Sequence, residues 1–230
     1  MARFVVFDLF HTLVHGADDE RNRVVAEMAG IVGVEPAGLL RAYRDTWRER
    51  LVMPDAAETV RLLAQRLGGR PTDEQVARAA ARRLEFATRL LGSVSPATLD
   101  VLDLLRAAGA RLALVSNASA ETAEAWPTCE LAARFDAAAF SCEVGVAKPD
   151  PAIYLAATRR LGADPAECVY VADGADQELA AAAALGMTVI RTTEHNDTDP
   201  TWAGAAITAL AELPALLPIA PGSLTGTVCP

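Results

Sequence analysis

Phe4-Val5-Val6-Phe7 is a short unbroken apolar run that ends in a carboxylate, Asp8, with the hydroxyl of Thr12 four residues on. Runs of this kind mark strands buried on both faces, as in parallel sheets. From about residue 17 to 92 the strand signal nearly vanishes, and helical spacing predicts segments over 18–31, 36–51, 56–68 and 73–91. Glycine and proline break them at 30–36, 53–55 and 68–71, and Thr72-Asp73-Glu74-Gln75 reads as a helix start with its capping hydroxyl and early acids. Beyond Ser95 helices and strands alternate. Helices are expected over 96–108, 119–133, 151–161, 176–185 and 210–217, and strands over 111–116, 137–141, 168–172 and 187–191. This alternation predicts an α/β fold, a doubly wound parallel sheet with an all-helical insert after its first strand.

Composition narrows the function classes. The 230 residues are 52% hydrophobic and 22% charged, which is globular, and the net charge of −9 argues against a nucleic-acid partner. Cys129, Cys142, Cys168 and Cys229 form no CxxC or Cys/His pattern, so free thiols are expected rather than a zinc site. The N-terminal run does not read as a signal peptide. Nothing approaches the roughly 18 apolar residues of a membrane span, which leaves the cytoplasm as the expected location and no membrane partner.

In a parallel sheet the carboxyl ends of the strands share one rim, where ligands bind. Here those ends carry Asp8 and Thr12, then Ser116-Asn117, then a loop with Lys148-Pro149, then Asp173-Gly174 and Glu178. Singly, each has an ordinary explanation: a turn aspartate, a helix cap, a solvated lysine, a turn Asp-Gly. As a set they suit nucleophilic attack by Asp8 on an anionic electrophile. Lys148 would hold Asp8 ionised and neutralise substrate charge, and Ser116 with nearby amides would bind an anionic oxygen. Asp173 and Glu178 would join Asp8 in an oxygen-only Mg2+ site.

With Asp8-x-x-x-Thr12, Ser116-Asn117, Lys148-Pro149 and Asp173-Gly174-x-x-x-Glu178, the chain resembles the haloacid dehalogenase superfamily over roughly residues 1–217. That resemblance implies a three-layer Rossmann-like core from residues 1–14 and 93–217, a helical cap at 15–92, and a separate tail at 218–230. It also implies a small anionic substrate, Asp8, Thr12, Ser116, Asn117 and Lys148 as site residues, and Mg2+ held by Asp8, Asp173 and the Phe10 carbonyl, with Glu178 acting indirectly.

Phe10 departs from that pattern. The family's phosphatases place a second aspartate there to move protons, whereas its dehalogenases place an aromatic residue, because halide leaves without a proton. Yet Asp173 and Glu178 match the metal-binding phosphatases. Three readings follow: Mg2+-dependent hydrolysis of a phosphorylated metabolite, carbon–halogen hydrolysis, or a catalytically weak relative that binds a ligand. His11 stands beside Phe10 and is either a proton carrier or a turn residue. Arg41, Arg44 and Arg48 share one helical face beside an aromatic i, i+4 pair, Tyr43 and Trp47. Arg41 or Arg44 would reach a substrate anion, or the face is simply solvated.

Overall fold

The computed structural model describes residues 3–217, so the expected tail at 218–230 lies outside the described residues. Six parallel strands are ordered β3-β2-β1-β4-β5-β6. They are β1 Phe4–Phe7, β2 Arg111–Ser116, β3 Ala137–Phe140, β4 Cys168–Ala172, β5 Thr188–Thr192 and β6 Ala205–Ile207. The helices are α1 Asp18–Val32, α2 Pro36–Asp45, α3 Trp47–Arg50, α4 Ala56–Arg66, α5 Asp73–Leu91, α6 Pro96–Ala107, α7 Ala120–Ala125, α8 Ser141–Val144, α9 Pro151–Leu161, α10 Glu178–Ala184 and α11 Leu213–Leu216.

Alternation along each strand sorts side chains onto two faces. Val5, Phe7, Leu112, Leu114, Val169 and Val171 pack with Leu102 and Leu105 of α6 in one apolar cluster. Phe4, Val6, Ala113, Val115 and Tyr170 pack with Ile153, Tyr154 and Leu161 of α9 and Leu179 of α10 in another. Both faces are covered, which is why the strands read as unbroken apolar runs. The chain reverses direction across the sheet between β1 and β4, the topological switch point at which open α/β sheets bind ligands.

Helices α1, α2, α4 and α5 pack around a third, separate cluster that includes Val25, Met28, Leu39, Leu63 and Phe86. A buried ion pair joins this helical unit to the sheet layer: Arg83 of α5 donates to Glu121 of α7, with Nε 2.9 Å from Oε1. Both side chains are almost inaccessible, at 7% and 6% exposure.

Several expected boundaries move for local reasons. The helix over 36–51 divides at Thr46, whose hydroxyl bonds back to the Ala42 carbonyl at 2.6 Å. The helix over 119–133 holds only to Ala125, then continues as short 3-10 turns at Trp126–Thr128 and Ala132–Arg134, with Pro127 at the break. The helix expected from 176 begins at Glu178, because Asp176 and Gln177 adopt left-handed backbone at φ 53° and 60°. The 210–217 segment is a 3-10 turn followed by α11, and β6 has too weak an apolar run to be read. The three described cysteines are free.

The buried pair sets a stability expectation. Glu121→Ala leaves the Arg83 charge uncompensated and costs about 3–5 kcal/mol in urea unfolding. Glu49→Ala, which removes an exposed partner of Arg66, leaves the midpoint unchanged.

Candidate active site

Strand pairing brings the two loop carboxylates together. Phe7 of β1 pairs with Val171 of β4 and the Asp8 amide donates to the Val171 carbonyl at 3.0 Å, so Asp8 and Asp173 leave adjacent strands one step apart. Both are buried, at 4% and 1% exposure. The fully buried Thr12 hydroxyl accepts from the Asp173 amide at 3.1 Å, which ties the β1 loop to the β4 loop. The Thr198 hydroxyl, from the loop after β5, donates to Asp173 Oδ2.

Lys148 lies between two carboxylates. Its Nζ is 2.5 Å from Asp8 Oδ1 and 2.5 Å from Glu178 Oε2. The Tyr170 hydroxyl donates to the same Glu178 oxygen at 2.7 Å, and the Gly174 amide donates to Oε1 at 3.0 Å. Both oxygens of Glu178 are therefore engaged, and its work is to hold Lys148. Asn117, at the end of β2, clamps the lysine's backbone from both sides. It accepts from the Lys148 amide at 2.7 Å and donates to the Lys148 carbonyl at 3.2 Å.

Ser116 is fully buried with Oγ unpartnered, and Asn117 rather than Ser116 faces the cavity above. That cavity, about 360 Å3, lies between the rim and the helical unit. Asp8, Phe10, His11, Lys148, Trp47 and Arg83 are among its walls. In the loop after β1, Phe10 bridges Val14 through bonds made by Leu9, His11 and Val14, which leave the Phe10 carbonyl unused. His11 adopts φ 61°, and its ring occupies the space that a Cβ on Gly16 would need.

The electrostatics are unbalanced. Asp8, Asp173 and Glu178 offer ligand oxygens within 4.8 Å of one another, and only Lys148 opposes their three charges. Burial raises the Asp8 carboxyl above its ordinary range, with Lys148 opposing the rise and Asp173 adding to it. Burial likewise pushes Glu178 up to about 8 against the pull of Lys148. Burial alone would lower Lys148, but Asp8 and Glu178 hold it well above the usual lysine range, so it stays a cation. A hard divalent cation fits this donor set: it would restore neutrality and bind the oxygens that Lys148 leaves free.

The other expected arginines are placed elsewhere. Arg41 is exposed and 4.0 Å from Glu35, and Arg44 lines a second cavity within the helical unit instead of the one above Asp8. Arg48 reaches Asp176 at 3.8 Å. Arg83, Tyr170, Asp176 and Thr198 were not anticipated. Arg83 was legible as a charge on the buried stripe Val76, Ala79, Arg83, Phe86 of α5. Thr198 carried no signal.

Residues 2–186 match the haloacid dehalogenase-like hydrolase family. The chain belongs to that family. It is 33% identical over 131 residues to a protein of Methanopyrus kandleri named glyceraldehyde 3-phosphate phosphatase, a match that spans 56% of each chain. This haloacid dehalogenase-like hydrolase thus aligns with only about half of that relative's length. Its fold is also that of the HAD phosphatase from Thermococcus onnurineus, with TM-score 0.68, 21% identity and coverage of 94% and 98% of the two chains. The L-2-haloacid dehalogenase of Xanthobacter autotrophicus, solved with chloropropionic acid covalently bound, superposes with TM-score 0.62 at 20% identity, covering 94% and 98%.

Glu178 gives the metal-free protein a pH signature. Burial lifts it from the ordinary glutamate value of about 4.5, so its contribution to stability is full below about 4.5 and is lost as pH rises through about 8. In chelator, the thermal midpoint of the wild type should fall across that window, and Glu178→Gln should flatten the decline. Parallel curves for the two proteins would contradict this.

Proposed function

We propose that this hydrolase is a Mg2+-dependent phosphatase acting on a small phosphorylated metabolite. The buried Asp8, Asp173 and Glu178 cluster, with one lysine against three carboxylates, carries the reading. Asp8, Asp173 and the Phe10 carbonyl would hold the ion while Glu178 stays with Lys148. When bound, Mg2+ supplies charge neutralisation for the incoming phosphoryl group.

Asp8 attacks phosphorus and displaces the ester oxygen, which forms an aspartyl phosphate and releases the alcohol. Phe10 has no proton to give, so the departing oxygen takes one from water. Water then cleaves the acyl phosphate, restoring the Asp8 carboxylate and releasing inorganic phosphate. Lys148 keeps Asp8 ionised as the substrate's charge arrives, and the Ser116 hydroxyl, buried and without a partner, would have to turn toward the cavity to donate to a phosphoryl oxygen. Residues 15–92 act as a cap whose closure keeps bulk water from the intermediate. The name of the Methanopyrus relative, a phosphatase of a three-carbon sugar phosphate, supports a small phosphorylated substrate.

Phe10 on the cavity wall favours a second reading. Carbon–halogen hydrolysis would use Asp8 to form an ester and expel halide, with no proton needed.

One assay separates the two. Phosphate release from p-nitrophenyl phosphate should require Mg2+ and vanish in Asp8→Asn. Phe10→Asp, which installs a proton carrier, should raise that rate by about 10²–10⁴. Metal-independent chloride release from 2-chloropropionate, with no phosphate released from the aryl ester, would favour the second reading and sink the first.

A further inference from the structure

The cavity above Asp8 is walled by two kinds of surface. From the sheet rim come the charged Asp8 and Lys148, with Phe10 beside them, and from the helical unit come Trp47 of α3 and Phe86, Leu90 and Leu91 of α5. Arg83, Phe86, Leu90 and Leu91 recur at helical spacing, so α5 turns one stripe toward this space, apolar except at Arg83. Trp47 remains 38% exposed, which leaves a large aromatic surface uncovered where it borders the cavity.

The polar side chains around that lining are largely spent on one another. Arg21 pairs with Asp18 at 2.9 Å, and Arg83 is neutralised by Glu121, which also accepts from the Ser119 hydroxyl at 2.8 Å. Asn117 gives its side-chain amide to the Lys148 carbonyl and to Asp176, at 3.2 and 2.9 Å. Two nitrogens on the wall, Arg83 Nη1 and His11 Nδ1, have no partner, yet both are shielded from solvent. Thr122 adds a single hydroxyl. A polyol held here would bring several hydroxyls and find few partners, and each one buried unpaired costs binding.

We infer that this cavity is a specificity pocket for an apolar organic group, so that the substrate is the phosphate monoester of an aromatic or branched aliphatic alcohol and not of a polyol, with Trp47, Phe86 and Leu90 selecting it. The inference rests on the phosphatase reading for the phosphoryl group and on the lining alone for the organic group. An apolar cavity of about 150 Å3 already accepts a benzene ring. The cavity here, about 360 Å3, holds a ring together with the phosphoryl group it carries. Apolar surface leaving water supplies the affinity. Arg83 brings no net charge to the pocket, because Glu121 is paired with it. Phe10 continues the apolar surface to within two residues of the nucleophile.

Two esters whose leaving oxygens are of similar basicity test the pocket, since the missing proton donor then weighs on both alike. With Mg2+, 2-phenylethyl phosphate should exceed sn-glycerol 3-phosphate in kcat/KM by about 10-fold or more, the scale of an apolar contact in a pocket. Trp47→Ala and Leu90→Asn should narrow that ratio, chiefly through KM, and their thermal midpoints report that they fold. Ligand-observed NMR of 2-phenylethanol reads the pocket without turnover: saturable binding is expected in the wild type and weaker binding in both variants, with none for glycerol. Equal or better hydrolysis of the glycerol ester would overturn the inference, as would 2-phenylethanol that does not bind or binds the variants equally well. If neither ester releases phosphate while 2-phenylethanol binding still depends on Trp47 and Leu90, the phosphatase reading fails and the assignment of the pocket stands.

Discussion

The pairing of β1 with β4 is the constraint on which the site depends. Once Phe7 is opposite Val171, Asp8 and Asp173 must leave the sheet side by side in a buried place where like charges raise each other's cost. The fold answers part of that cost with one cation, Lys148, wedged between Asp8 and Glu178. Lys148 cannot swing away, because Asn117 from β2 grips its backbone on both sides. Three strand ends are thereby locked into one charged unit whose balance is still negative.

The helical unit meets this rim through a contact of a different kind. Arg83 and Glu121 bury opposite charges where the unit joins α7, and the Arg83 guanidinium lies over the Tyr43 and Phe86 rings, 5.6 and 5.3 Å from their centroids. Removing either partner leaves a bare charge in an apolar wall, so the pair fixes how the unit sits over the cavity. Because Arg83 also lines that cavity, the residue that docks the helices borders the space above Asp8.

Much of this was readable in the chain because burial on two faces writes continuous apolar runs, and polar residues at the ends of such runs fall on one rim. Asp8, Ser116, Lys148 and Asp173 announced themselves in that way. Contacts set by the third dimension stayed hidden. Nothing in the sequence tells that Glu178 spends both oxygens on Lys148, Tyr170 and Gly174, or that Thr12 serves the Asp173 amide. The arginines of α2 looked promising because helical spacing gathers them, yet spacing cannot say which face of the unit meets the rim. Arg83 was the informative arginine, since a charge on an otherwise apolar stripe must find a partner. The left-handed residues Asp176 and Gln177 and the break at Thr46 arise from local hydrogen bonding and tertiary fit, which outweigh helical periodicity.

The charge deficit at Asp8, Asp173 and Glu178 is the centre of the account, and calorimetric titration of Mg2+ into chelator-stripped protein measures it most directly. One Mg2+ should bind to the wild type, and Asp173→Asn, which removes a carboxylate while leaving Lys148 paired, should abolish that binding with the fold intact. A wild-type protein that binds no Mg2+, or a variant that binds it equally well, would contradict the reading of this cluster as a cation site.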